Sequence, residues 1–174
     1  MKKNILIGLI IIVVSILVDQ ISKIVMLTLL KTEGSSIVVI ENFFRFYLVF
    51  NDGAAFSSFE GQFGLLMGVT ILATAVFIFM ASSAKFDINP FYSWGIYLMI
   101  GGMCGNLIDR IFFTNHAVVD FLSFTFWGWE FATFNIADSC LVVGVICVCI
   151  DMLICEGLRK KKIEKQLELE NQGE

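Results

Sequence analysis

The chain has one proline and one histidine in 174 residues, and only 16% of it is charged, against about 25% in an average soluble domain. So little charge excludes a charge-solvated disordered chain and a basic nucleic-acid binder. The one histidine, His116, cannot supply a two-histidine zinc site, and a Ser-His-Asp triad would rest on it alone. Cys104, Cys140, Cys147, Cys149 and Cys155 are odd in number and lie in apolar runs. They show no Cys-x-x-Cys pair and no alternation with histidine, so they read as small core residues. Carboxylates, Lys and Ser remain as catalytic options. What the chain has in quantity is apolar surface: hydrophobic residues make up 57% of it. That points to a membrane protein with a single domain spanning 1–174.

A hydrocarbon core about 30 Å thick takes about 20 apolar residues per helix. Four segments meet that length, at about 4–30, 64–81, 91–112 and 135–154, which predicts an all-α bundle of four transmembrane helices. Lys2 and Lys3 precede the first apolar stretch as in a signal peptide, but no small-x-small cleavage site follows, so that span is expected to be retained. Positive charge is asymmetric. Lys2, Lys3, Lys85, Arg159, Lys160, Lys161, Lys162 and Lys165 fall at the N-terminus, the second loop and the tail, and only Lys23, Lys31, Arg45 and Arg110 lie elsewhere. Both termini are therefore expected in the cytoplasm, with 31–63 and 113–134 outside. The tail, 156–174, reads as a charged, solvated, helix-prone end without chemistry of its own.

The outward segments are not plain polar loops. Residues 36–50 are rich in Ile, Val, Phe and Tyr between a Gly-Ser-Ser cluster and Asn51-Asp52-Gly53, a pattern of one or two strands and a turn. In 112–134 aromatic residues crowd together, Trp127 and Trp129 among them, as suits an anchor at headgroup depth.

An ionisable group inside a span costs roughly 2.5 to 3.5 kcal/mol at the bilayer centre, so each one asks for a reason. Here they are Asp19 and Lys23 in the first span, Asp109 and Arg110 beside Asn106 in the third, and Asp138 beside Asn135 in the fourth. A rise of about 1.5 Å per residue puts all of them toward the outer leaflet, level with Asn51 and Asp52. Simple readings exist for several: an intrahelical Asp19–Lys23 pair, Arg110 snorkelling to headgroups with Asp109 as its partner, and Asn106 and Asn135 as interhelical glue. Gly101 and Gly105 form a GxxxG, which indicates close helix packing. Asp120 and Asp138 have no cationic neighbour in sequence. Two carboxylates held close together share a proton and can hydrolyse an amide, one as base on water and one as acid on the carbonyl oxygen. The same residues suit a proton relay or small proton-coupled carrier, although no internal repeat is visible, and Lys23 leaves a Ser-Lys peptidase open.

Five motifs sharpen this reading: VDQISK around Asp19 and Lys23, NDGAAF from Asn51, GGMCGNLIDR ending at Arg110, VVDF around Asp120, and FNIADS around Asp138. In this order, and with these loop lengths, the chain resembles the lipoprotein signal peptidases, or signal peptidase II, from the first span to the fourth. The resemblance implies an aspartic endopeptidase of the bacterial inner membrane that cuts diacylglyceryl-modified prolipoproteins before the lipidated cysteine. It implies Asp120 and Asp138 as the catalytic dyad. Asn51, Gly53, Asn106, Arg110 and Asn135 become substrate-positioning or dyad-supporting groups, with Asp19, Lys23 and Asp109 structural. It also implies an extracytoplasmic β-cradle over 36–50, a short helix over 53–60, no metal or other cofactor, no nucleic-acid partner, and a monomer among membrane lipids. Asp52, beside Asn51, and the tail beyond Glu156 depart from the family pattern.

Overall fold

The computed structural model describes residues 2–53, 62–113, 115–155 and 157–160. The short helix expected over 53–60 lies, apart from Gly53, outside the described residues, as does most of the tail. The element order is α1 (Lys2–Leu30), β1 (Ser36–Ile40), β2 (Phe44–Asn51), α2 (Phe63–Met80), α3 (Pro90–Phe112), β3 (Val118–Phe126), β4 (Trp129–Glu130) and α4 (Ile136–Ile150). A 3₁₀ turn, Ala81–Ser83, extends α2, and a π-helical turn, Asp151–Cys155, extends α4.

The expected helices are present within two residues at their starts. Three helical runs, Lys3–Leu30, Phe63–Ser83 and Ile136–Lys160, are long and apolar enough to cross a membrane. α3 is not among them, which departs from the expectation of four equivalent spans. At 23 residues it is about 35 Å long, but it carries four glycines, Ser93, two tyrosines, Asn106, Asp109 and Arg110. Its position accounts for that composition. α3 packs against α1, α2 and α4, and its residues from Ile96 to Arg110 are largely buried, whereas the other helices leave long rows of Leu, Ile and Val exposed. A helix enclosed by others has no need of an apolar coat all round.

Glycine sets how closely α3 sits. A Cβ on Gly101 would stand 2.7 Å from the Ser15 Cβ, and one on Gly105 2.7 Å from Asp19 Oδ2, so the GxxxG faces α1. A Cβ on Gly102 would overlap the Ala137 carbonyl oxygen of α4. α3 is thereby wedged backbone to backbone between α1 and α4, the arrangement that small residues permit in membrane helices.

The two segments expected outside the membrane supply one antiparallel sheet in the order β1-β2-β3-β4. Residues 36–51 supply two strands, as the alternation of turn signals and β-branched residues predicts. The aromatic segment supplies the other two, joined by a two-residue turn in which Trp127 and Gly128 both have positive φ (49° and 83°), a type I′ geometry that matches strand twist. Pairing of Val49 with Asp120 and of Asn51 with Val118 fixes β3 beside β2. Leu48 and Val119, both fully buried, seat the sheet on Leu30 at the end of α1.

The wedge predicts opposite outcomes for two substitutions. Gly102→Val has to displace the Ala137 carbonyl and should lower stability by about 1 to 3 kcal/mol or more. Gly68→Val, on α2 with nothing within 4 Å of its Cβ, should stay within about 0.5 kcal/mol. Thermal unfolding of both variants in detergent would check this; equal melting temperatures would contradict it.

Candidate active site

The polar residues of α1, α3, β3 and α4 converge on one connected group. On α1, Asp19 and Lys23 are four residues apart and form the expected ion pair, 2.8 Å long. The pair does more than neutralise itself. Lys23 Nζ also lies 2.8 Å from Asp109 Oδ2 of α3 and donates to Asn106 Oδ1 at 3.0 Å. Lys23, Asp19 and Asp109 are at most 2% exposed. Asp109 is therefore the partner of Lys23 and not of Arg110.

Each of the two acids then holds a backbone amide next to an acid of the candidate dyad. Asp19 Oδ1 accepts from Ala137 N at 2.9 Å, satisfying one of the free N–H groups at the start of α4, immediately before Asp138. Asp109 Oδ2 accepts from Val119 N at 3.1 Å, immediately before Asp120. Gln20, which sequence reasoning passed over, donates to Asp109 Oδ1 at 2.8 Å and to Gly105 O and Asp19 Oδ2 at 3.2 Å each. A further polar side chain between Asp19 and Lys23 in VDQISK was the signal that could have found it.

Asp138 occupies the third position of α4, where Asn135 is the N-cap. The Asn135 side chain accepts from Asp138 N at 2.9 Å, and Asp138 Oδ2 accepts from Asn135 N at 3.2 Å, a reciprocal capping box. Asp138 Oδ1 accepts from Asn106 Nδ2 at 2.8 Å. Asp120, on β3, accepts from Asn135 Nδ2 at 2.7 Å and from Asn51 Nδ2 at 2.9 Å. Asn135 thus bonds to both acids. Asn51 is in turn held by Gly53 N, which donates to its Oδ1 at 3.0 Å.

Asp120 and Asp138 line the same cavity of about 580 Å³, together with Asn51, Gly53, Asn106, Arg110 and Ser139. Its other walls are apolar: Val118, the extended stretch Phe131, Ala132, Thr133 and Phe134, and Leu141, Val142 and Val143 of α4. Val142 and Val143 are about half exposed on the outer side of that helix (60% and 47%), so the cavity adjoins the surface that meets lipid. Arg110 does not snorkel outward. It is 9% exposed, donates to Gly53 O at 3.0 Å, and has a buried Nε without a partner among the described residues.

Burial, and then the negative charge of Asp138, push the Asp120 carboxyl up to about 7; the bonds from Asn51 and Asn135 and the Lys23 cation oppose this shift. An acid with that value at a cavity wall exchanges protons near neutral pH.

Of the residues singled out in the sequence, Asn51, Gly53, Asn106, Arg110, Asp120 and Asp138 are brought to the cavity, and Asn135 lies fully buried behind its wall, bonded to both acids. Asp19, Lys23 and Asp109 form the buried layer behind it. Lys23, held by two carboxylates and an amide oxygen, is not paired with a serine, as a Ser-Lys mechanism would need. Asp52 is exposed, and residues 54–56 of the NDGAAF motif lie outside the described residues. A further ion pair, Arg45 with Glu130, joins β2 to β4 at the sheet's rim.

The family model for signal peptidase (SPase) II matches residues 11–154. The chain is 36% identical over 156 residues to the lipoprotein signal peptidase of Staphylococcus haemolyticus, covering 88% of this chain and 96% of the relative. It is 43% identical over 117 residues to that of Oleidesulfovibrio alaskensis, covering 64% and 72%. Among solved structures it is similar to a bacterial membrane enzyme determined by the in meso method at 2.3 Å resolution, with a TM-score of 0.75, 32% identity, and coverage of 84% and 87%. Motif order, fold and sequence similarity agree over the same length: the chain belongs to the signal peptidase II family.

Proposed function

We propose that Asp120 and Asp138 are the catalytic dyad of an aspartic endopeptidase that removes the signal peptide from diacylglyceryl-modified prolipoproteins, cutting before the lipidated cysteine. The observation that carries this reading is the meeting of two acids from different elements, β3 and α4, at the wall of one cavity, both bonded by Asn135.

The chemistry follows from sharing one proton. With Asp120 protonated near neutral pH and Asp138 ionised, Asp138 takes a proton from a water as that water attacks the scissile carbonyl carbon. Asp120 gives its proton to the carbonyl oxygen. The resulting tetrahedral diol collapses when the proton now on Asp138 passes to the leaving amide nitrogen and Asp120 recovers its own from the diol hydroxyl. Water is consumed, one C–N bond is broken, and the dyad returns to its starting state. Asn51, Asn106 and Asn135 hold the carboxylates in place, and the Nε of Arg110, buried and without a partner among the described residues, offers a donor to the substrate backbone. The apolar wall at Leu141, Val142 and Val143 suits the acyl chains of a lipidated substrate entering from the bilayer.

The remaining topology belongs to the same proposal. α3 spans the bilayer inside the other three helices, both termini face the cytoplasm, the sheet and cavity lie at the outer face of the bacterial cytoplasmic membrane, and one chain suffices for activity. Charge supports the orientation, since Lys3, Lys85, Arg159 and Lys160 gather at the helix ends away from the cavity.

Asp120→Asn and Asp138→Asn should each lower kcat on a purified lipidated precursor by about 10³-fold with an unchanged melting temperature; full activity in either variant would remove the dyad. Because Asp120 is protonated below its value of about 7 and ionised above it, kcat/KM should fall as pH rises through about 7, when the shared proton is lost. A profile flat from pH 6 to pH 9 would contradict the assignment. An unlipidated version of the same precursor should be cut at least about tenfold less efficiently, since an acyl chain contributes about 0.8 kcal/mol per buried methylene, and equal rates would separate lipid from recognition.

A further inference from the structure

We infer that Lys23, which touches neither acid of the dyad, is a positioning residue for the reaction: with Asn135 it claims the Asn106 oxygen and so keeps the Asn106 amide donating to Asp138. The inference rests on the dyad reading above and deepens it.

An asparagine amide can present either its oxygen or its nitrogen to a neighbour, and which one it presents is settled by what surrounds it. Lysine has three donors and no acceptor, so the Asn106 atom 3.0 Å from Lys23 Nζ has to be oxygen. That oxygen also accepts from Asn135 Nδ2 at 3.0 Å, which fills its second lone pair. Asn106 Nδ2 is then left facing Asp138 Oδ1 at 2.8 Å. The same constraint passes on. The Asn135 oxygen is committed to Asp138 N, so its Nδ2 hydrogens serve Asn106 Oδ1 and Asp120 Oδ1. The Asn106 amide is thus held as a donor to Asp138 from two sides, by the ammonium in α1 and by Asn135, whose own orientation is set by Asp138 N. Without Lys23, one of the two donors that hold the Asn106 oxygen is lost and only Asn135 Nδ2 remains, so Asn106 turns its oxygen toward Asp138 more readily, replacing an attractive contact with a repulsive one when that acid is ionised.

Among the described residues the charged groups that face the pair are few. They are Asp19 and Lys23 from α1, Asp109 and Arg110 from α3, and the two acids themselves from β3 and α4; Asp52 beside Asn51 is exposed. Lys23 favours the ionised form of Asp120. A purely structural lysine would affect the amount of folded enzyme and nothing else. A positioning lysine moves the pH profile as well.

The test compares kcat and the alkaline limb of the pH profile, normalised to folded enzyme in detergent, on one lipidated precursor. Lys23→Met removes the cation and leaves two buried carboxylates, so it can fail to fold. Lys23→Met combined with Asp109→Asn removes one anion with the cation and keeps an oxygen for Val119 N. Asp138→Asn is run alongside. The expected result for the folded double variant is a fall in kcat of about tenfold or more, with the alkaline limb moved upward by about 0.5 pH unit or more. Lys23→Arg, another group with donors only, should recover part of the rate and the position of the limb. A folded double variant with wild-type kcat and an unmoved limb, beside an inactive Asp138→Asn, would overturn the role of Lys23 alone. An active Asp138→Asn would overturn both readings.

Discussion

The structure is organised around an ammonium placed where lipid and protein would otherwise exclude it. Lys23 Nζ is held by Asp19, Asp109 and the Asn106 oxygen, and each acid passes the constraint to a backbone amide, Ala137 N on one side and Val119 N on the other. α1, α3, β3 and the start of α4 are therefore joined by a single buried cation. A buried ion pair is weak evidence for stability, because desolvation opposes the attraction. Its value here lies in register. The two elements that carry Asp120 and Asp138 are a strand and a helix packed on α3, and apolar packing alone would let them slide by a residue or a turn. Directional bonds to a common centre do not.

That layer also explains why glycine is needed where it is. Gly105 leaves room for the Asp19 carboxylate against α3, and Gly102 lets the first turn of α4 approach the α3 backbone. The polar network and the close helix crossing are one device: without the close approach the side chains could not reach, and without the bonds the close approach would bury unpaired charge.

Much of this was legible in the sequence. Length and apolar runs located the helices, and the rise per residue brought Asp19, Asn106, Asp109 and Asp138 to one height. The period of polar residues could not say which charge pairs with which. Asp109 sits next to Arg110 in the chain, yet neighbouring residues on a helix point about 100° apart, and it is Lys23, on another helix, that Asp109 meets. The composition of α3 hid its role as well, because hydropathy reads exposure to lipid and α3 is surrounded by protein. The β3–β4 turn was obscured for a different reason: Trp127-Gly128 replaces the Asn-Gly or Asp-Gly pair that normally marks such a hairpin.

The capping box at the head of α4 ties reactivity to intactness. Asn135 caps the start of the helix and at the same time bonds to both acids, so fraying of that first turn removes the bonds that hold the two together. With these two acids as the proposed dyad, a loosened copy of the enzyme would lose its reactivity toward neighbouring membrane proteins together with its fold.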